Sequence, residues 1–446
     1  MWYWAKTTAL VAERESTFPS LEEYKKPKLG AVATPMNNNK LENLHAIKIL
    51  FSALNGVSFC AELEQLATLP TLRIFDNDVC HFLNKLSIQL MTDIEAKTYS
   101  DMVAFGFFIR RANIQKLKQS YCGSLDNKVG RGLSFHIAPS NVPMNFAYSL
   151  VAGLLSGNPC VVRVSSKNFK QTEILCRLLR VLANEYKITD YIKIIQYPHS
   201  IEITNYLSLK ADIRVIWGGD TTIDNIRKSP IRPHCLELCF ANRYSICVIN
   251  SQSLLNLDDD ALKVLAQNFY NDTYLYDQNA CSSPKLLYWL GKEHAREAKE
   301  IFWKYVWHNI KNKYSLANIS AVDKLMTACM VAIDMDGITI ENKVDNLISR
   351  IAIPSLNKDI EHYTCACGSF IESSGDSLRG LLDIVTKRFQ TLAYFGLDPK
   401  LILEEVTTLG ILGIDRIVPI GKTSDFSLIW DGYDLIHTMS RTISFE

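Results

Sequence analysis

The sequence predicts an α/β fold with two doubly wound parallel sheets and a terminal β element. Strand and helix patterns alternate between residues 133 and 217, and a second alternating run starts at residue 244. Residues 415–446 contain short strand patterns separated by turns. A chain of 446 residues is long enough for about two or three domains.

The first alternating run contains short strands rich in valine and isoleucine, and each is followed by a helical pattern. Strands of this kind joined by helices are typical of a parallel sheet with crossover helices, an architecture that often binds nucleotides. The predicted elements are strand 133–138, helix 145–155, strand 160–164, helix 171–186, strand 192–195, helix 201–209 and strand 213–217.

The second run predicts strand 244–249, helix 258–271, strand 286–289 and a helix-rich stretch over 293–335. Together the two runs suggest four chain segments. They are an appended N-terminal segment (1–69), a Rossmann-like nucleotide-binding domain (70–250), a catalytic domain (251–414) and a C-terminal strand element suited to oligomerisation (415–446).

Composition argues against several classes of protein. The net charge of +1 gives no broad attraction to nucleic acid or to a membrane surface. No apolar run approaches the roughly 20 residues that span a bilayer, and the N-terminus lacks the pattern of a secretory signal. The 12 cysteines are scattered, which favours reduced thiols and a cytoplasmic location.

Cys281 is the candidate nucleophile. It lies in a small, polar segment, 276–284, between a predicted helix and a predicted strand. A thiolate can form thioesters that a second reagent then discharges. The alternative is that Cys281 packs in the interior, as free cysteines commonly do; the apolar surroundings of Cys160, Cys176, Cys235, Cys239 and Cys247 favour packing for those cysteines.

Three segments upstream of Cys281 follow predicted strands. Asn141 lies in a turn bounded by prolines and has an amide that can stabilise an oxyanion. The strand ending near Arg163 leads into hydroxyl and cationic side chains, and the strand ending at Trp217 leads into two glycines that let a cofactor approach the backbone. The candidate cofactor-binding residues are Pro139, Ser140, Arg163, Ser165, Ser166, Lys167, Gly218, Gly219, Asp220 and Thr221.

Each segment is weak alone, since the glycines do not form a GxGxxG motif. Their order, however, resembles the aldehyde dehydrogenase superfamily. Asn141 matches the oxyanion asparagine of that family, Glu237 the glutamate of its Glu-Leu-Gly-Gly segment, and Cys281 its catalytic cysteine. Segments 415–421 and 430–435 resemble one branch, the acyl-CoA or acyl-protein thioester reductases of the LuxC type. The resemblance extends from about residue 69 to the C-terminus.

The resemblance implies a reaction. Cys281 attacks a fatty acyl thioester, Asn141 and the Cys281 N–H stabilise the oxyanion, and hydride from a nicotinamide reduces the acyl-cysteine to an aldehyde. Glu237 is the implied proton-handling group. The family also implies an acyl-activating synthetase and an acyl-transferase as partner subunits, and a homo-oligomer.

Departures from the family pattern favour NADPH. Ser166 stands where NAD-preferring members often have a glutamate, so a repulsion against the 2′-phosphate is absent, and Arg163 and Lys167 can bind that phosphate. The two glycines that follow Glu-Leu in the family are replaced by Cys239 and Phe240, which makes the role of Glu237 less secure.

Three other functions remain open from the sequence. They are an aldehyde-oxidising dehydrogenase, a cysteine acyltransferase or thioesterase without redox activity, and a non-catalytic binding scaffold. A metal site is not predicted, because the cysteines and histidines lack the spacing of structural zinc sites. The residues considered for zinc were His234, Cys235, Cys239, Cys365 and Cys367.

Overall fold

Two mixed sheets form the framework of the protein. The computed structural model describes residues 44, 46–53, 58–342 and 345–445. The strands in these residues are β1 (Lys48–Ser52), β2 (Lys128–Gly130), β3 (Ser134–Ile137), β4 (Cys160–Arg163), β5 (Ile192–Gln196), β6 (Ile213–Trp217), β7 (Leu236–Phe240), β8 (Tyr244–Asn250), β9 (Pro284–Leu290), β10 (Thr339–Asn342), β11 (Ser349–Ala352), β12 (Ser369–Gly375), β13 (Phe389–Phe395), β14 (Arg416–Pro419), β15 (Ile429–Trp430), β16 (Tyr433–Asp434) and β17 (Ser440–Thr442).

Helices connect most of these strands and cover the sheets. The α-helices are Phe59–Thr68, Asn77–Thr92, Ser100–Phe108, Arg111–Ser120, Asn145–Leu155, Lys170–Ala183, Ile201–Lys210, Asp220–Arg227, Ser251–Leu255, Asp259–Asp272, Lys292–Ile310, Asn318–Asp334, Arg379–Leu382, Pro399–Thr408 and Leu435–Met439. Short 3₁₀ helices span Ala96–Thr98, Lys187–Tyr191, Tyr274–Tyr276 and Lys358–His362. Within the described residues, no helix is both long and apolar enough to cross a bilayer.

The first sheet has the order β1-β5-β4-β3-β6-β7. All pairings are parallel except the antiparallel one between β1 and β5. The chain runs from β3 outward through β4 to β5, and then returns to the other side of β3 with β6. In open α/β sheets, ligands bind at the carboxyl ends of the strands beside such a switch point.

The second sheet has the order β10-β11-β12-β9-β8-β13-β14, and only the pairing of β10 with β11 is antiparallel. Only residues 241–243 separate the end of β7 from the start of β8. The carboxyl edge of the first sheet therefore lies close to the amino edge of the second. This juxtaposition positions the candidate site.

Where the sequence predicts an element with bounds, the structure agrees closely, but no bounds are predicted for β1, β7 or β10–β14. The helix predicted over 145–155 spans Asn145–Leu155, and the one predicted over 171–186 spans Lys170–Ala183. Such agreement follows from strands and helices that are almost entirely buried on their apolar faces.

The chain termini add strands that the predicted segments did not specify. Residues 1–43, 45 and 54–57 of the predicted appended segment lie outside the described residues, but β1 from this segment extends the first sheet. From the predicted C-terminal element, β14 joins the second sheet and β17 pairs with β2. The predicted domain limits and the oligomerisation role remain predictions.

A buried carboxylate organises the core of the second sheet. Glu372 on β12 is fully buried, and its Oε1 accepts hydrogen bonds from the indole nitrogens of Trp289 (3.0 Å) and Trp303 (2.7 Å). Its Oε2 accepts one from Arg350 Nε at 2.9 Å. Burying a charge is stable only when its hydrogen bonds and ion pairs are complete, as they are here.

Replacing Glu372 by alanine is therefore expected to lower the free energy of unfolding by about 3 to 5 kcal/mol, because two indole N–H groups and a guanidinium lose their acceptor. Urea denaturation followed by tryptophan fluorescence measures the change. Glu297→Ala on the exposed face of helix Lys292–Ile310 is the control, with an expected change within about 0.5 kcal/mol. Equal effects of the two substitutions would contradict this account of the core.

Candidate active site

A cavity of about 980 Å³ opens where the two sheets meet. Cys281 lies on its wall with its side chain exposed. The cavity brings together the candidate nucleophile, the candidate oxyanion donor Asn141 and most of the candidate cofactor-binding residues. The latter are Pro139, Ser140, Arg163, Ser165, Ser166, Lys167, Gly218 and Gly219.

The loop that carries Cys281 is held by buried hydrogen bonds. Asp277 and Gln278 both have positive φ angles, 52° and 61°, which turn the chain sharply before the cysteine. The buried Gln278 amide donates to the carbonyls of Pro284 and Ser369, both at 2.9 Å, and accepts from the Gly368 N–H at 3.0 Å. A buried, fully bonded amide fixes the path of the backbone around it.

Hydroxyl groups hold the backbone of Cys281 and the residues that follow it. Ser245 on β8 donates to the Cys281 carbonyl at 2.7 Å, and Ser283 donates to the Asp272 carbonyl at 2.7 Å. Lys285 lies behind the loop and donates to the carbonyls of Gln278 (3.3 Å) and Cys365 (3.0 Å). The position of Cys281 is thus set before any substrate binds, as catalysis by orientation requires.

The environment of Cys281 keeps it protonated. Protein surrounds the thiol on the sides that do not face the cavity, and this desolvation raises the pKa of Cys281 above its usual value. The negative charge of Asp431 raises it further, while the positive charges of Lys285 and Arg243 act in the opposite direction. At neutral pH the resting group is a thiol, so attack on an acyl carbon requires a proton acceptor.

Asn141 lies directly beside the Cys281 loop. Its Nδ2 donates a hydrogen bond to the carbonyl of Asn279 at 3.2 Å, two residues before the cysteine. An amide nitrogen carries two hydrogens, so the second can donate into the cavity. This location suits the predicted oxyanion role.

Positive side chains line the cavity at the exit of β4. The Arg163 guanidinium lies over the ring of Tyr197 at 4.9 Å, and its buried Nε has no hydrogen-bond partner among the described residues. The Lys167 N–H donates to the Ser165 hydroxyl at 3.2 Å, which shapes the turn that follows β4. Arg163 and Lys167 thus give this part of the cavity a positive charge.

The turn after β6 is built around two glycines. A β-carbon on Gly219 would lie 3.2 Å from Asn242 Oδ1, so a side chain there would crowd the connection between the sheets. Asp220 and Thr221 begin the next helix and are not among the residues that line the cavity. Asp220 instead accepts a hydrogen bond from the Asn242 N–H at 3.1 Å and fixes this connection.

Glu237 lies away from the cavity. Its Oε2 accepts a hydrogen bond from Arg214 Nε at 2.8 Å, and its Oε1 accepts one from Arg227 Nε at 2.8 Å. Desolvation raises the pKa of Glu237, but the hydrogen bonds from Arg227 and Arg214 outweigh it, so the pKa is below its usual value. The structure therefore does not bring Glu237 together with Cys281, and its proton-handling role remains a prediction.

An aromatic wall, formed by Tyr148, Phe426 and Trp430, lines another part of the cavity. The rings of Tyr148 and Phe426 are 4.8 Å apart, and those of Phe426 and Trp430 are 5.3 Å apart. The apolar side chains of Met144 and Leu275 line the same cavity. Sequence reasoning missed this wall because its members come from segments far apart in the chain.

Asp431 is the other residue that the sequence analysis missed. It lines the cavity that contains Cys281 and lies between β15 and β16. The available signal was the Asp-Gly dipeptide at 431–432, which is typical of a tight hairpin turn. In the sequence, the segment around Asp431 predicts short strands suited to subunit contact, and this pattern gives no sign of a site carboxylate.

The histidine and cysteine residues considered for metal binding show no such arrangement. Among the described residues, no group of three or more His, Cys, Asp or Glu side chains is placed to hold a metal ion.

His136 is buried between the hydroxyls of Ser149 (2.7 Å) and Ser134 (2.9 Å), and burial lowers its pKa to about 3. It is a neutral, hydrogen-bonded core residue.

The chain matches a known protein family over most of its length. A family model described as acyl-CoA reductase (LuxC) matches residues 62–442. The chain belongs to this family. The match includes Asn141, Cys281 and Asp431, so the whole cavity lies within the LuxC-family region.

Two curated relatives of this LuxC-family chain are both named long-chain acyl-protein thioester reductase. The long-chain acyl-protein thioester reductase of Photorhabdus luminescens is 22% identical over 324 residues, which cover 71% of this chain and 63% of the relative. The protein of that name from Aliivibrio fischeri is 27% identical over 165 residues, covering 36% of this chain and 32% of the relative. The matched segments thus span less than two thirds of the length of these two relatives.

Solved structures confirm the predicted fold. An NAD-dependent benzaldehyde dehydrogenase from Corynebacterium glutamicum superimposes with a TM-score of 0.57 over 90% of this chain and 95% of its own, at 12% identity. The chain therefore has the aldehyde dehydrogenase fold.

The raised pKa of Cys281 predicts how it reacts with iodoacetamide. Because only the thiolate reacts, the rate at Cys281 is expected to increase almost tenfold per pH unit from about pH 7 to 8.5, with a midpoint above the usual pKa of a cysteine thiol. Peptide mass spectrometry measures the rate, with exposed Cys329 as an internal reference for reagent decay. A midpoint below pH 8 would show that the protein lowers this pKa.

Proposed function

We propose that the protein reduces a fatty acyl thioester, carried by coenzyme A or by a protein, to the aldehyde with NADPH. The acyl group passes through a thioester on Cys281. The observation that carries the proposal is the shared cavity, in which an exposed cysteine on a fixed loop lies in the same space as the cationic exit of β4.

The acyl-transfer step uses residues of the Cys281 loop. Sγ of Cys281 attacks the acyl carbon, and the departing thiol leaves an acyl-cysteine. The second Nδ2 hydrogen of Asn141 and the N–H of Cys281 bind the oxyanion of the tetrahedral intermediate. Because the loop is fixed by Gln278 and Ser245, these donors need little reorganisation during the reaction.

The residues at the exit of β4 suit the cofactor. NADPH, when bound, supplies the hydride that reduces the acyl carbon. Arg163 and Lys167 would bind its 2′-phosphate, and their position on the cavity wall supports this assignment. Gly218 and Gly219 have no side chains, so the cofactor can approach the protein backbone there, as at other switch points. Ser166 adds no negative charge there.

The aromatic wall suits an acyl chain. Tyr148, Phe426 and Trp430 present apolar surface to the cavity that holds Cys281. An acyl chain covering this surface would also keep water from the thioester, as a reductase requires, since hydrolysis would waste the intermediate. A long chain gains roughly 0.8 kcal/mol for each buried methylene group.

The family resemblance supports two further proposals about the partners of the protein and its oligomeric state. One is the association with an acyl-activating synthetase and an acyl-transferase, and the other is a homo-oligomer. All twelve cysteines are free, which supports a location in the reducing cytoplasm.

The reductase assignment is tested with tetradecanoyl-CoA and NADPH. Wild-type protein is expected to oxidise NADPH and release tetradecanal, and Cys281→Ala is expected to lose both activities because no acyl-cysteine can form. Absorbance at 340 nm measures the loss of NADPH, and gas chromatography measures the tetradecanal. Acyl labelling of Cys281 without NADPH oxidation would indicate a transferase instead.

The cofactor assignment is tested by Ser166→Glu. A carboxylate at this position is expected to repel the 2′-phosphate, raising KM for NADPH by about tenfold or more and leaving KM for NADH lower than that for NADPH. Steady-state kinetics with both cofactors measures the change. Lys228→Ala, outside the cavity lining, is the control; a wild-type preference for NADH would defeat the assignment.

A further inference from the structure

Asp431 is held in place by a tight hairpin. Asp431 and Gly432 form the two-residue loop between β15 and β16. In these two strands, Ile429 pairs with Asp434. The φ angles of Asp431 (49°) and Gly432 (75°) are both positive, as a type I′ turn requires. Asp-Gly is a preferred sequence for this turn, so the hairpin fixes the backbone of Asp431.

A chain of hydrogen bonds connects Asp431 with the Cys281 loop. Gln390 Nε2, on buried β13, donates to Asp431 Oδ1, and the adjacent Thr391 hydroxyl donates to Gln390 Oε1 at 3.4 Å. The Thr391 N–H donates to the Ser245 hydroxyl at 3.3 Å, which in turn donates to the Cys281 carbonyl. The carboxylate and the cysteine are thus fixed relative to each other across β8 and β13.

One oxygen of Asp431 remains available. Its Oδ1 accepts from Gln390, whereas Oδ2 has no hydrogen-bond partner among the described residues. Both Asp431 and Cys281 line the same cavity. Glu237, in contrast, has both oxygens bonded to arginines and does not line the cavity.

We propose that Asp431 is the group that exchanges the proton of Cys281; this rests on the proposed acyl transfer. As Sγ forms its bond to the acyl carbon, the thiol proton passes to Asp431 Oδ2. When the tetrahedral intermediate collapses and the bond to the departing sulfur breaks, that proton passes from Asp431 to the departing thiolate. The carboxylate is regenerated, and no proton is gained or lost in the step.

The charges around Asp431 are compatible with this role. Desolvation raises its pKa above the usual value, and Asp415 raises it further, while Gln390, Arg243 and Arg416 act in the opposite direction. A carboxyl with a raised pKa is a better proton acceptor near neutral pH. Its activity as a base is lost as pH falls through this pKa, since the protonated form cannot accept a proton.

The test compares two reactions of Cys281 in Asp431→Asn. Asparagine keeps an oxygen for Gln390 but cannot accept the proton, so acylation by tetradecanoyl-CoA without NADPH is expected to slow about 100-fold. Removing the negative charge also lowers the pKa of Cys281, so alkylation by iodoacetamide at pH 8 is expected to become several-fold faster. Quenched-flow labelling and peptide mass spectrometry measure the two rates.

The opposite directions separate proton exchange from a merely structural role, which would slow both reactions or neither. Asp431→Glu, which keeps a carboxylate, is expected to restore part of the acylation rate, and Glu297→Gln is the matched surface control. Faster alkylation together with unchanged acylation would overturn the inference. So would a loss of acylation in Glu237→Gln that Asp431→Asn does not show.

The two proposals can fail separately. If wild-type protein forms acyl-Cys281 and releases aldehyde while Asp431→Asn does so equally fast, only the role of Asp431 is wrong. If wild-type protein forms no acyl-Cys281, the proposed function is wrong, and the role of Asp431 with it.

Discussion

The connection from β7 to β8 is the constraint on which the site depends. Its three residues, 241–243, hold the carboxyl edge of one sheet against the amino edge of the other. Asp220 accepts a hydrogen bond from the Asn242 N–H in this connection, and a side chain at Gly219 would crowd Asn242, so the glycine turn after β6 is tied to the connection. The cationic exit of β4 and the Cys281 loop come from different sheets, and they share a cavity because this connection is short.

The second sheet supplies the rigid support for the nucleophile. Cys281 precedes β9, and its loop is bonded to neighbours on β8 and at the start of β12 through Ser245, Gln278 and Ser369. These strands also carry the core around Glu372. The Cys281 loop therefore has little conformational freedom, although loops at binding sites are commonly mobile. Orientation of the thiol is built into the sheet itself.

Local patterns predicted the fold well, because alternating apolar strands and helices leave a signal within about ten residues. The resemblance to the aldehyde dehydrogenase superfamily, rather than any local pattern, grouped Cys281, Asn141 and Arg163, and these three residues line one cavity. Glu237 and Asp431 show the limit of such reasoning. Arg214 on β6 and Arg227 on the following helix bind Glu237, and Gln390 on β13 holds Asp431. The spacing of residues along the chain does not reveal these tertiary contacts.

The raised pKa of Cys281 has a consequence for the durability of the protein. Peroxides oxidise thiolates far faster than thiols, and oxidation beyond the sulfenic acid is irreversible for most proteins. A cysteine that is exposed in a wide cavity yet remains protonated is therefore shielded from such damage while it waits for substrate. Its reactivity is confined to the moments when a bound acyl group accepts the sulfur.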